Sequence, residues 1–277
     1  MNLNKNLIAT SILASLFLSG CNSSDENTVD GKDQSESQTK NVIVMITDGA
    51  SDGAWDIASF WQHGELLNDT FPFNELDTRY AMSTYALNGN SAPDNSPSCD
   101  PNAYAEGFSY SAEKASSDAA AAVADKVFAG YEYLDTNYTD SAASGTAIAT
   151  GQSTYNGAIS IDSCGNELKL ITEYAHDNKL STGIVSTVQF SHATPAVFGA
   201  KNNSRSNYTE IGTAMLKNGY ADLIMGAGHP MYDGNGKARG QDEINYKYIG
   251  EDTWNKLQAG TLVSSSSETL GASLTPR

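Results

Sequence analysis

The sequence predicts an α/β fold class, a mostly parallel central sheet flanked by helices. Three apolar runs carry that prediction: VIVMI at residues 42–46, GIVSTV at 183–188 and ADLIMGAG at 221–228. Each is apolar on successive positions, as a strand buried on both faces of a parallel sheet must be. Helical periodicity fills the intervals between them, and strand–helix alternation is the pattern of parallel sheets.

Taken in chain order, the first segment is not part of that fold. Residues 1–20 carry one basic side chain, Lys5, and then a short apolar run over 7–18 interrupted by serines. The run is short for a bilayer span and has the layout of an export signal. Leu18-Ser19-Gly20-Cys21 resembles a bacterial lipobox, at which a lipoprotein signal peptide is removed and Cys21 becomes lipid-modified. The alternative is an ordinary secretory signal followed by an incidental cysteine. On the lipobox reading the protein is lipid-anchored in the periplasm or at the cell surface, and the anchor is its sole membrane contact. Residues 21–40 have Val29 as their one sizeable apolar side chain. They bury too little surface to offset ordering entropy and are expected to form a disordered tether, with a reach of roughly 25 Å.

The folded part is expected over 41–277. Its first strand, residues 42–46, ends at Thr47-Asp48-Gly49. Residues 88–102, rich in Asn, Ser and Pro, read as a loop, and the alanine-rich stretch 111–130 as a helix with Val123, Val127 and Phe128 on one stripe. Leu168, Ile171, Tyr174 and Ala175 recur at helical spacing, as do Tyr208, Ile211 and Met215, with a stop at Gly219. Export permits disulfides, and Cys99 and Cys164 both sit in polar, turn-rich context, so a bridge between them is the first expectation and two free thiols the second.

Sixteen Lys+Arg against 33 Asp+Glu leave a net charge of −17, which argues against nucleic acid or an anionic surface as partner. An anionic substrate would need local positive charge from Arg or metal. The acidity itself is read first as a solubility or salt adaptation.

The chemistry-bearing residues cluster at strand ends. Ligands of open α/β sheets settle outside the carboxyl ends of the strands. Asp48 lies at one such end, and His192-Ala193-Thr194-Pro195 follows another closely, which points to one shared site. The remaining signal is YTDSAASGTAIATG at 138–151, where Asp140 and Ser141 open a run of small residues. Close packing alone explains such a run. A helix beginning there would also offer free N–H groups and a positive dipole end to a phosphate-like anion, with Gly145 and Ala149 lying close to the sheet and Gly151 closing the helix. Serine must be activated to attack. The sequence has no G-x-S-x-G elbow, and its four histidines, His63, His176, His192 and His229, form no local triad signature. Hard oxygen ligands at Asp48 and Thr194 favour activation by a divalent metal.

TDSAASGTAIATG closely resembles the nucleophile motif of the alkaline phosphatase family. NVIVMITDG resembles the family's first strand with its metal-bridging aspartate, HATPAVFGAKNNSR its magnesium-binding and phosphate-clamping block, and GAGHPMYDGNGKA a further stretch of bacterial members. The resemblance implies metal-dependent hydrolysis of small phosphate monoesters through a phosphoserine on Ser141. It implies two Zn²⁺ and one Mg²⁺, with Asp48 shared by one zinc and the magnesium, Thr194 on the magnesium, His192 acting through water in the magnesium shell, and Ser141 itself facing zinc. Arg205 would clamp two phosphate oxygens, and Asp140 would orient the loop and Arg205. A homodimer is an open alternative for the oligomeric state.

In the family, further zinc ligands lie downstream of the matched blocks, and the stretch that ends at Arg277 does not supply them. The chain is thus expected to correspond to an N-terminal half, incomplete at the C-terminus, and to turn over little by itself. Two other readings stay open: a metal-independent serine hydrolase using Ser141 and His192, and a non-catalytic lipoprotein that binds phosphate or a partner.

Overall fold

The fold was analysed in a computed structural model, which describes residues 41–50, 52–66, 85–89, 92–105, 108, 111–115 and 137–264, with positions 76, 78, 80, 82, 133 and 135. The export signal, Cys21, the tether over 21–40, residues 116–130 of the expected alanine-rich helix and the serine-rich stretch from 265 lie outside the described residues. The chain divides into two units, Met1–Ile46 and Thr47–Arg277.

In the first unit, residues 41–46 are irregular rather than a strand, which corrects the expectation for VIVMI. An apolar run becomes a strand only where neighbouring strands take its hydrogen bonds and its faces are covered. Here the side chains of Val42 to Ile46 are 37 to 88 % exposed, and no ladder partner occurs among the described residues.

The second unit opens with helix α1, Asp52–His63, which the sequence reading did not anticipate. Its large apolar residues Ile57, Phe60 and Trp61 are exposed, whereas Ser59 is buried and donates its hydroxyl to the Glu65 carbonyl at 2.7 Å. Gly64 ends it in the left-handed conformation, with its N–H bonded to the Phe60 carbonyl at 2.9 Å. A short helix α2, Ala112–Ala115, is followed by α3, Ser141–Thr150, and α4, Ile171–Asp177.

Strand β1, Gly183–Gln189, and strand β2, Leu223–Ala227, pair in parallel, with Gly183 opposite Leu223 and Val185 opposite Met225. Between them lie α5, Ala193–Ala196, and α6, Tyr208–Lys217. Helix α7, Glu251–Gln258, follows a 3-10 turn at Gln241–Glu243. The architecture is α/β, a small parallel sheet flanked by helices. Among the described residues, no helix is long and apolar enough to cross a membrane.

The core forms where α3, α5 and α6 meet the sheet and α7. It gathers Ala142, Ala149, Ile184, Val197, Ile211, Met215 and Trp254, all nearly or fully buried. Helix α3 lies against α5 rather than against the sheet: a Cβ on Gly145 would meet Val197 Cγ2 at 3.0 Å. Close packing therefore accounts for the far side of the small-residue run. Helix α4 also differs from its expected face. Ile171 and Tyr174 are about half exposed, while Thr172 and Glu173 are buried. Glu173 accepts from the Leu170 N–H and from Lys201 Nζ, both at 2.8 Å. Burial raises its carboxyl pKa, but these donors outweigh that and hold it below the usual range.

Cys99 and Cys164 are joined in a disulfide with their Cα atoms 5.7 Å apart, tying the 88–102 loop to the turn after Ile161. A tighter contact fixes α6 against the segment before α7. A Cβ added to Gly212 would fall onto the Tyr248 carbonyl oxygen and approach Phe190 Cζ at 3.1 Å. Backbone cannot rotate away as a side chain can, so Gly212→Ala is expected to destabilise the fold by about 3 kcal/mol. Urea unfolding reads this directly; a loss below about 0.5 kcal/mol would mean that the helix and the 248 segment are not so closely seated.

Candidate functional site

The small-residue helix begins at Ser141 because Asp140 ends the preceding chain in an extended conformation, φ −89° and ψ 170°, and caps it. Asp140 Oδ1 accepts from the Ala143 N–H at 2.8 Å. Asn156 braces the approach: its Oδ1 accepts from the Asp140 N–H at 3.0 Å and its Nδ2 donates to the Tyr138 carbonyl at 3.0 Å. Gly151, at φ 77°, closes the other end through its N–H to the Ala147 carbonyl. The N–H groups of Ser141 and Ala142, at the head of the helix, have no helical acceptor and sit at its positive end.

The second oxygen of Asp140 has a different partner. Arg205 Nη1 donates to Asp140 Oδ2 at 3.0 Å, with the two side chains 29 and 12 % exposed. The Arg205 N–H meanwhile donates to the Gly157 carbonyl at 2.7 Å, so the residue is held at both ends. One carboxylate thus fixes a helix start and a guanidinium together, and Ser141 is the residue that directly follows that carboxylate in the chain. Such a mostly buried, charge-assisted pair is far better fixed than a surface ion pair.

The other predicted ligands come together separately. Thr194 Oγ1 donates to Asp48 Oδ2 at 2.8 Å, across 146 residues of sequence. Thr194 is on α5, the helix against which α3 packs, so both pairs are carried by adjoining elements. Two hard oxygens at this spacing suit Mg²⁺, which keeps several waters and asks for one or two protein oxygens. Zinc asks for three or four protein ligands. Among the described residues no three His, Cys, Asp or Glu side chains converge, so this part of the chain offers the two expected zinc ions Asp48 and no complete ligand set.

His192 caps the start of α5 in an extended conformation, two residues before Thr194. Its ring stacks on Tyr208 at 5.2 Å and lies tilted to Tyr248 at 5.7 Å. Burial, then the nearby Arg205 and Lys247 cations, hold the imidazole pKa below its ordinary value, so the ring is neutral at pH 7. Of the other histidines, His229 packs edge-on against Tyr232 and Trp254, and its Nδ1 accepts from the Met231 N–H at 3.1 Å, away from these pairs. His63 ends α1 and His176 lies in the last turn of α4.

Sequence reasoning missed Asn156, Tyr208, Tyr248 and Lys247. Asn156 precedes Gly157 and reads as an ordinary turn. Tyr208 was noticed for its helical spacing rather than its stacking, and NYKYIG around Lys247 has no pattern that ties it to His192.

With that geometry in view, a family model described as alkaline phosphatase matches residues 109–243. Alkaline phosphatase 4 of Bacillus subtilis is 41% identical over 104 residues, 36% of this chain and 23% of that protein. The alkaline phosphatase of Escherichia coli is 45% identical over 76 residues, 27% of this chain and 16% of that protein. Among solved structures, a cold-active alkaline phosphatase from Shewanella sp. aligns at 39% identity and a TM-score of 0.35, over 44% of this chain and 26% of that one. A mutant of the TAB5 alkaline phosphatase, solved with Mg bound in its M3 site, aligns at 34% identity and a TM-score of 0.30, over 39% and 30%. The chain spans under a third of the length of these relatives.

Proposed function

We infer that this chain, whose residues 109–243 belong to the alkaline phosphatase family, takes part in the hydrolysis of small phosphate monoesters with Ser141 as the nucleophile. The observation that carries this reading is the double use of Asp140, which caps the Ser141 helix with one oxygen and holds Arg205 with the other. A phosphoryl group in front of the helix would meet positive charge from two directions: the helix end and the guanidinium.

The roles follow from the residues. Arg205 spends Nη1 on Asp140 and keeps Nη2 and Nε for two oxygens of the phosphoryl group, the bidentate fit its planar fork allows. Asp140 keeps that fork aimed, while Asn156 keeps Asp140 in place. Ser141 Oγ gives up its proton to solvent and bonds to phosphorus as the ester oxygen departs, takes a proton and leaves as the alcohol. Water then adds to phosphorus, the Oγ–phosphorus bond of the phosphoserine breaks, Ser141 regains a proton and inorganic phosphate is released. Asp48 and Thr194 would hold Mg²⁺, which supplies positive charge beside the reacting oxygens when bound. Neutral His192 would orient water in that shell rather than carry a charge. No step is assigned to zinc.

The experiment is to incubate the protein with phenyl phosphate and magnesium, quench in acid and map the peptides. The expected result is one phosphoserine, at Ser141, that is lost when the metal is chelated beforehand. A phosphoryl group on another residue, or phosphate release that persists in chelator without any phosphoserine, overturns the reading.

A further inference from the structure

Beside the phosphate-handling groups stands a cation with no acid to neutralise it. Lys247 Nζ lies 4.7 Å above the Tyr208 ring and 5.5 Å from the centre of the Tyr248 ring, and these two rings meet edge-on at 5.2 Å. Among the described residues it has no carboxylate partner, in a chain with 33 acidic side chains. Lys169 and Lys201 also lie over tyrosines but are paired with Asp177 and Glu173, whereas Lys114 over Tyr133 resembles Lys247 in having no ion pair among the described residues. The same Tyr208 ring stacks with His192 at 5.2 Å. Lys247 and Arg205 both act electrostatically on that imidazole, which places two cations about one ring.

The two cations are differently engaged. Arg205 is mostly buried and committed to Asp140, whereas the Lys247 side chain is exposed and shares the Tyr208 ring with His192. An anion seated at Arg205 would therefore have a second, uncommitted cation within electrostatic reach of the same imidazole. The tyrosines fix the ammonium without quenching its charge, since a cation–π contact leaves its donors available.

We propose that Lys247, carried on Tyr208 and Tyr248, recognises a second negative charge on the ester side of the substrate. The substrates it favours are phosphomonoesters whose leaving group bears a carboxylate or another phosphate. Lys247 is a specificity residue and takes no part in bond breaking. It also answers a difficulty of charge: a chain of net charge −17 repels a doubly anionic substrate, and a fixed local cation offsets that repulsion at the one place it matters. The proposal rests on the phosphomonoester reading above.

The test compares phenyl phosphate with its 3- and 4-carboxy derivatives, in the parent protein and in Lys247→Gln and Lys247→Arg. To make the comparison independent of turnover, calorimetric dissociation constants are measured on the Ser141→Ala protein with magnesium present, with and without the Lys247 changes. The expected result is that Lys247→Gln weakens at least one carboxy ester by roughly three- to tenfold while leaving phenyl phosphate unchanged, and that Lys247→Arg restores the difference. Raising the salt concentration should shrink the same difference in the protein with Lys247 intact, which a purely structural role would not do. Equal losses for all the esters, or none for any, overturn the proposal and leave the phosphomonoester reading standing. No binding of any ester by the protein with Lys247 intact removes both.

Discussion

Ser141→Ala should abolish phosphoserine formation from phenyl phosphate and bring phosphate release down to the rate of the buffer and metal alone, because the change deletes the atom we propose to bond to phosphorus. The substitution is suited to a clean test. Ser141 follows the capping residue instead of serving as the cap: the hydrogen bond to the Ala143 N–H belongs to Asp140. Alanine is the best helix former, so the first turn should persist, and thermal unfolding should match the parent within about 1 °C. Binding should also persist, since Arg205 and the helix amides remain. The expected variant is thus a folded protein that binds the ester, makes no phosphoserine and releases no phosphate. If release above that background survives the change, Ser141 is not the nucleophile and water attacks the ester directly; the helix would then be a binding element only.

How far the sequence alone carries such a site depends on whether its contacts are local. The cap at Asp140 and the stop at Gly151 are separated by one short helix, and residue chemistry at each end declares them. The parallel strands at Gly183–Gln189 and Leu223–Ala227 fall where apolar residues were expected to form them, but not buried on both faces: Ile184 is the one buried residue in them, and Val185, Leu223 and Met225 are exposed. The equally apolar run at 42–46 shows the limit of that signal: hydrophobicity makes a segment competent to be a strand, but pairing comes from a neighbour elsewhere in the chain.

Helix α7 was illegible for the opposite reason. EDTWNKLQ is mostly polar, and its buried residues are Thr253, Trp254 and Leu257, of which one is itself polar. The Asp48–Thr194 hydrogen bond spans 146 residues, and no spacing rule connects such positions; they are linked in the sequence by their places after apolar runs and by their oxygen chemistry, to which the family resemblance adds. Lys247 had neither kind of signal. Its place beside His192 follows from Gly212 letting the Tyr248 backbone touch α6, a contact that exists only once the chain is folded.

Arg205→Ala carries the second large expected effect and bears on the geometry most directly. On the proposed reading, losing the guanidinium removes two hydrogen bonds to the phosphoryl oxygens, together with a full positive charge in a partly buried site. Removal of one such group typically costs 10² to 10³ in rate, so kcat/KM for phenyl phosphate should fall by roughly 10²- to 10³-fold. The helix should survive, because Asp140 Oδ1 still accepts from Ala143 and Asn156 still holds the Asp140 backbone. Asp140 Oδ2, however, loses its partner and becomes an uncompensated negative charge near the incoming phosphate. Asp140→Asn in the Arg205→Ala background should therefore recover part of the loss, although it restores no positive charge. Arg205→Lys discriminates further: it keeps the charge but not the fork, so it should fall between the parent and Arg205→Ala. Parent-like kcat/KM in Arg205→Lys would show that charge alone suffices and that the bidentate clamp is not used. Parent-like kcat/KM in Arg205→Ala would show that the Asp140–Arg205 pair merely fastens two loops.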